Sequence, residues 1–348
     1  MPSTTCIRNV ACIVAWDAAN RRHAYLMGGD VAFAGDTLTY VGKRYDGTAE
    51  ETIDGTDLMV MPGLIDLHAH PSTEPFFRGV REEHGVPAMY MSGLYERSVA
   101  LQPDADARKA GKQVAFCEML LSGITSVADL SGIDEGWIDL AAQSGLRVFL
   151  APSYASARWH LENGWALQYR WDETAGRRGL DAALALIEQA AAHPSGRLSG
   201  IVSPAQIDTC TTDLLRDSFA AAEARDVPLT VHCAQSVNEF LVMVDRHGKS
   251  PVQFARDLGI LSPRTVLGHA MFIDEHSWVR WHTHSDLGIL VDTGTSVAHC
   301  PSPFARYGHT LEDFGRYHRA GVNLGIGTDV APHNVIEEMR LGAILARV

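Results

Sequence analysis

The sequence predicts an α/β chain organised as a (β/α)8 barrel of the TIM barrel type, with a small β unit ahead of it. Three observations carry this. From Leu58 onward eight brief apolar runs recur, separated by stretches whose alanine and leucine content suits amphipathic helices. Before them, residues 6–52 alternate over short distances between glycine turns. No GxGxxG or Walker sequence is present, which removes the main support for an open doubly wound sheet on a nucleotide.

Taken in order, CIRNVACIVAW and DVAFAGDTLTYVG, punctuated by Gly28-Gly29, Gly35-Asp36 and Gly47, read as antiparallel strands with hairpin turns. The eight later runs are LMVMPGLIDLH, ITSVADL, RVFLAPSYA, LSGIVSP, PLTVHC, RTVLGH, TSVAHC and NLGIGTD. Between them, segments such as 181–192 and 213–224 carry apolar residues at 3-4 spacing. Eight alternations over about 290 residues fit a barrel better than an open sheet, which has fewer strands. The expected division is 1–57 for the β unit and 58–348 for the barrel.

Composition narrows the function. With 29 Lys plus Arg against 42 Asp plus Glu, the formal charge is -13, so a polyanion is repelled and nucleic acid is excluded as a partner. The first twenty residues lack a basic start followed by an apolar run, and no stretch approaches the ~18 apolar residues that span a bilayer. The expectation is a cytoplasmic protein without membrane contact. Six scattered cysteines, with no CxxC pair, read as reduced thiols rather than a disulfide framework or a thiolate zinc site. Sixteen histidines outnumber four lysines, and several close apolar runs where valine or leucine would be expected.

In a barrel, catalytic residues come from the carboxyl ends of the strands. Run 1 ends in His68-Ala69-His70, and residues two apart on a strand share a face, so both imidazoles can reach one ion. Run 5 ends in His232, run 6 in His269, run 7 in His299 and run 8 in Asp329. Three histidines and a carboxylate suit one divalent cation, zinc or iron(II), with a position left for water. His299 is equally well explained by a hydrogen bond at the rim.

Several of these residues also carry a resemblance. Met61-Pro-Gly-Leu-Ile-Asp-Leu-His-Ala-His70 resembles the first-strand signature of the amidohydrolase superfamily. Val297-Ala-His-Cys-Pro301, Gly325-Ile-Gly-Thr-Asp329 and Glu338-Met-Arg-Leu341 resemble later motifs of its cytosine deaminase, guanine deaminase and triazine hydrolase branch. The likeness runs from about residue 6 to 348. It implies a barrel carrying a small β-sandwich built from both chain ends, a metal that activates water, and a habit of forming homodimers. By correspondence, His68, His70, His232 and Asp329 would bind the metal, and His269 would be catalytic. Asp329 would take the water's proton and deliver it to the leaving group. Two-metal members use a bridging carboxylate, commonly a carboxylated lysine, at the end of strand 3 or 4. Pro152-Ser-Tyr-Ala155 and Ser203-Pro-Ala-Gln206 contain neither Lys nor Glu, so a single ion, zinc first, is expected.

The chain departs from its branch at three places. Gln235, in His232-Cys-Ala-Gln-Ser236, stands where relatives have a glutamate that protonates a ring nitrogen. An amide hydrogen-bonds but carries no proton, so chemistry that needs ring protonation would lose the ~10²- to 10⁴-fold of a general acid. Glu239 could substitute only by turning inward. Ala205 stands where many deaminases place a histidine, and Pro303-Phe304 replaces the usual Ser-Asn. These changes favour hydrolysis of an acyl C–N bond in a urea, carbamate or amide, with Gln235 and His269 assisting. The alternative is an aminohydrolase or chlorohydrolase of a triazine, pyrimidine or purine, and a third reading is a silent ligand-binding barrel. Phe77, Tyr90, Tyr154, Trp159 and His299 are expected to line the site of a small substrate. The sequence stops at Val348, within what the resemblance makes the eighth helix, so a longer protein or a covering partner is expected.

Overall fold

The computed structural model describes residues 3–20, 22–73, 93–95, 102–161 and 167–347. The chain divides into two units, Met1–Gly63 and Leu64–Val348. In the first, the short-range alternation becomes one five-stranded sheet. β1 (Thr4–Asp17) pairs antiparallel with β2 (Arg22–Ala34), and β2 with β3 (Thr37–Gly42). The other edge of β1 runs parallel to β4 (Glu51–Asp54) and then to β5 (Met59–Val60). A bulge between Ile7 and Val10 is held by Asp30 Oδ1, which accepts from the N–H of Asn9 at 3.0 Å, a residue at φ +55°. Val10, Ile13 and Val31 form a small buried cluster with Ile7, Leu26 and Val60 packed on it, whereas Tyr25, Met27, Leu38 and Met59 are exposed. The apolar run LMVMPGLIDLH therefore serves two units. Pro62, which has no N–H to offer a ladder, and Gly63 interrupt it, so Met59–Val60 completes the first sheet and the second unit starts at Leu64.

The second unit contributes β6 (Leu64–Ala69), β7 (Ile124–Asp129), β8 (Arg147–Leu150), β9 (Ser153–Tyr154), β10 (Ala157–Leu161), β11 (Leu167–Trp171), β12 (Leu198–Gly200), β13 (Ser203–Pro204), β14 (Leu229–Cys233), β15 (Thr265–His269), β16 (Ser296–His299) and β17 (Asn323–Ile326). Eight of them form two parallel sheets, with orders β12-β8-β7-β6 and β14-β15-β16-β17. Parallel bridges join the sheet edges, from Ala69 to Asp329 on one side and from Val202 to Leu229 and Gln206 to His232 on the other. All five residues of β14 are buried, as expected where helices cover one face and strand neighbours fill the other. β9 and β13 prolong the third and fourth runs, and between those runs β10 pairs with β11 as a hairpin.

Helices follow the strands for local reasons. In Glu173–Ala191, Asp172 caps the N-terminus by accepting from Ala175 N at 2.9 Å, and Leu180, Ala183, Ile187 and Ala190 form the buried stripe. Thr212–Arg225 is capped by Thr211 and ends at Asp226 in the left-handed region, φ +57°. Both helices start before the expected segments 181–192 and 213–224, because their caps precede the apolar stripe. Three non-glycine residues with positive φ lie at strand ends: Ala234 at +56°, Ala270 at +48° and Asp329 at +59°. Strain of this kind persists only where the surroundings fix it, and strand ends 5, 6 and 8 are where it concentrates.

Candidate metal centre

Strand ends bring His68, His70, His232, His269 and Asp329 into one cluster. Ligand atoms of His68, His70 and Asp329, and of His68, His232 and His269, lie within 4.8 Å of one another. His70 Nε2 is 3.2 Å from His68 Nε2, 3.1 Å from His232 Nε2 and 3.2 Å from Asp329 Oδ1. The backbone sets this register. Asp329 N–H donates to the His68 carbonyl and His70 N–H to that of Asp329, both at 2.7 Å, so strand 1 and strand 8 are locked at the cluster itself.

Hydrogen bonding shows what the cluster is built to hold. His70 Nδ1 lies 2.8 Å from the Leu130 carbonyl and His232 Nδ1 2.5 Å from that of Ala205. A carbonyl oxygen only accepts, so each Nδ1 carries a proton, and in the neutral rings each Nε2 presents a lone pair. Those two lone pairs face each other. They repel unless a cation lies between them, and three imidazoles with a carboxylate are a donor set for zinc or iron(II). Burial pushes His232 down to about 4 and His68 well below its ordinary value, keeping both neutral. Burial also depresses His70, but without an ion in the cluster the hydrogen bond and charge of Asp329 outweigh it and hold that ring above its usual value, so a proton on Nε2 then takes the place a cation would fill between the rings and the carboxylate. Burial raises Asp329, yet the neighbouring His70, His269 and His232 prevail and bring it to about 2. Once His70 gives up that proton, the cluster presents one negative charge with imidazole lone pairs around it.

Buried groups behind the ligands hold them in place. Asp66, fully buried, accepts from His68 N at 3.2 Å, Thr328 N at 3.0 Å and Thr328 Oγ1 at 2.6 Å. Since the Thr328 hydroxyl donates to Asp66, it accepts from His333 Nδ1 at 2.7 Å. Burial pushes the Asp66 carboxyl above its usual range in spite of these donors. Sequence reasoning passed over Asp66, although it lies two residues before His68 on the same strand face. Glu239 is also buried, and its carboxylate accepts from Ala234 N at 2.6 Å and Gln235 N at 2.9 Å. Its role is thus to hold the turn after His232. Burial and the nearby Asp208 raise it. The spacing Ser236-x-x-Glu239, with Ser236 Oγ accepting from Glu239 N, was the legible sign of this capping arrangement.

The remaining expected site residues divide. His269 is 1% exposed, neither ring nitrogen has a hydrogen-bond partner among the described residues, and its ring lies 4.7 Å from that of His68 and 4.5 Å from Phe304. Burial takes it to about 3, against the pull of Asp329, so it is a neutral imidazole beside the ligands. His299 is buried and depressed to about 4, with its ring 5.8 Å from Phe314. Gln235 follows His232 on the turn that Glu239 fixes. Trp159, on β10, donates from Nε1 to Asp208 Oδ2 at 3.1 Å and packs edge-on to Tyr95 at 4.8 Å. Tyr154 is a correction: it turns away from the cluster, packs against Gly179 and donates to Ser218 Oγ at 2.7 Å, a core position rather than a pocket wall. Strand alternation at β9 sends it towards the helices. Phe77 and Tyr90 lie outside the described residues.

Residues 59–348 match the Amidohydrolase family. The chain belongs to the amidohydrolase family. It is a hydrolase of carbon–nitrogen bonds. This amidohydrolase is 29% identical over 320 residues to a 5-methylthioadenosine/S-adenosylhomocysteine deaminase of Archaeoglobus fulgidus, covering 90% of this chain and 70% of that protein. Among solved structures it is similar to a zinc-bound adenosine deaminase from Xanthomonas campestris, with TM-score 0.79, 21% identity and coverage of 99% and 74% of the two chains. It is also similar to a zinc-complexed atrazine chlorohydrolase from Arthrobacter aurescens, with TM-score 0.77, 23% identity and coverage of 95% and 73%. No helix among the described residues is long and apolar enough to cross a membrane.

Proposed function

We propose that this amidohydrolase is a zinc-dependent aminohydrolase of a nitrogen heterocycle, working on a closed (β/α)8 barrel with one ion held by His68, His70, His232 and Asp329. The observation that carries it is the 3.1 Å approach of His70 Nε2 to His232 Nε2, with each ring fixed by a carbonyl behind its Nδ1. The bridges Ala69–Asp329 and Gln206–His232 support closure, since they join the sheet edges at the level of the ligands. Zinc in such a site supplies a Lewis acid that brings the pKa of a water molecule to roughly 7.

The chain's own groups then have separate tasks. Asp329, ionised at neutral pH, accepts a proton at the carboxylate beside His70 and passes it to the departing nitrogen. His269, neutral with both ring nitrogens unpartnered among the described residues, donates one hydrogen bond to charge developing on the substrate. Gln235 offers its amide hydrogen to a ring nitrogen without transferring a proton.

The preference for a urea or carbamate is withdrawn. It rested on departures at Gln235, Ala205 and Pro303-Phe304, whereas the named relatives are purine-type deaminases and a triazine chlorohydrolase. An amide at 235 slows ring protonation but still orients a heterocycle. The test is release of ammonia from adenosine and aminopurines, and of chloride from chlorotriazines, by the zinc-loaded protein. Ammonia release supports the reading. Release of neither, from a protein that also binds no metal, would favour the silent barrel.

A further inference from the structure

The loop after strand 4 carries two acceptor oxygens that the chemistry above leaves unused. Gln206 Oε1 and Asp208 Oδ1 are buried atoms with no hydrogen-bond partner among the described residues. We propose that these two oxygens form a subsite that accepts hydrogen bonds from O–H or N–H groups on a substituent of the substrate remote from the reacting carbon. The proposal rests on the heterocycle reading and adds to it which part of the substrate is recognised.

Geometry ties the loop to the metal ligands. His232 N–H donates to the Ala205 carbonyl at 3.1 Å and Ile207 N–H to the His232 carbonyl at 2.9 Å. Gln206 and His232 are therefore bridge partners, and paired residues of neighbouring strands direct their side chains to the same face. His232 faces the cluster, so Gln206 does too. Ile207, next along the loop, goes the other way into the apolar core.

Asp208 is 1% exposed and is held by one oxygen only. Its Oδ2 accepts from Tyr169 OH at 2.6 Å and Trp159 Nε1 at 3.1 Å, both from the β10–β11 hairpin. Its carbonyl accepts from Arg246 Nη1 at 2.7 Å, and that guanidinium lies 3.9 Å over the Tyr169 ring. Two donors thus fix the carboxyl plane and leave Oδ1 presented in a set orientation. Burial pushes the Asp208 carboxyl above its usual range against the pull of Tyr169, Trp159 and Arg246; a donor on the ligand facing Oδ1 favours the ionised form and removes the cost of leaving that oxygen without a partner. The same site disfavours an acceptor or a bare apolar group there, which makes it a discriminator.

Asp208→Asn is the sharpest probe. Its amide oxygen can keep Tyr169 and Trp159, while its NH2 replaces the acceptor at Oδ1 by a donor. Binding and turnover of adenosine, 2,6-diaminopurine and 9-methyladenine should be measured on the zinc-loaded wild type, Asp208→Asn and Gln206→Leu, with metal content checked in each. The wild type should prefer adenosine or 2,6-diaminopurine over 9-methyladenine, which has no donor beyond its reacting amino group. A preference for adenosine identifies hydroxyls, and one for 2,6-diaminopurine an amino group. Asp208→Asn should reduce that preference by about 10- to 100-fold, the range for a buried charge-assisted hydrogen bond, with zinc retained. Gln206→Leu should reduce it less, by about 3- to 10-fold, as for a neutral bond. Equal affinity for all three compounds in the wild type, or an unchanged ratio in Asp208→Asn, overturns the subsite and leaves the heterocycle reading standing. No binding of any of them overturns both.

Discussion

Glu239→Gln isolates the turn that presents Gln235 and His232. The carboxylate accepts from two successive N–H groups, Ala234 at 2.6 Å and Gln235 at 2.9 Å, where Ala234 is held at φ +56°. An amide keeps one acceptor and turns an NH2 group towards the other donor. A charge-assisted hydrogen bond contributes about 1.5–3 kcal/mol. Relief of the buried charge and of repulsion from Asp208 offsets part of this, so a net local loss of about 1–2 kcal/mol is expected. That corresponds to opening of the turn increased by about 5- to 30-fold. Amide hydrogen exchange of peptides spanning 233–237 should rise by that factor while the β1–β3 sheet is unchanged. Turnover should fall with zinc retained. Unaltered exchange in 233–237, or an equal rise throughout the chain, would refute the argument that Glu239 acts locally on this turn.

Other perturbations follow from the same contacts. Gln235→Glu should raise turnover of heterocycles that need ring protonation, by up to the ~10²- to 10⁴-fold of a general acid, with steady-state kinetics across purines and triazines as the check; a uniform fall in rate for all substrates would contradict the role given to Gln235. Asp66→Asn should lower zinc affinity by about 10- to 100-fold without removing a ligand, because it loosens the backbone of His68 and Thr328; competition with a chelator measures this. Glu338, fully buried with one oxygen accepting from Ser302 N at 2.8 Å, is pushed up to about 8 by burial. A carboxyl raised in the folded state contributes stability that is present below its unfolded value near 4.3 and is lost as pH rises through 8. Thermal unfolding of the wild type should therefore weaken across that window, and Glu338→Gln should flatten the dependence; parallel curves would show that Glu338 is not its source.

The fold was legible where a residue pattern is local. Runs such as PLTVHC and RTVLGH became β14 and β15 because buried parallel strands are apolar on both faces, and their terminal histidines stand out against that background. The division of LMVMPGLIDLH was harder to read, since its two halves pair with strands more than forty residues away in opposite directions along the chain. The hairpin β10–β11 leaves little trace in the sequence, because ARWHL and LQYRW are short and mixed in polarity. What stabilises it, Asp208 receiving Trp159 and Tyr169, is a pair of contacts across 49 and 39 residues. Tyr154 was misassigned for a related reason: proximity to a strand end does not say which face a side chain takes. The roles of Asp66 and Glu239 depend on backbone N–H groups, which a sequence does not display, although the capping pattern around Glu239 was visible.

Metal content measured by plasma mass spectrometry on protein purified from zinc-replete medium tests the central claim most directly. About one zinc ion per chain is predicted for the wild type, falling below a tenth of that in His232→Ala, where one of the two facing lone pairs is gone. A wild-type chain that holds no ion, or a His232→Ala chain that keeps a full one, would contradict the account.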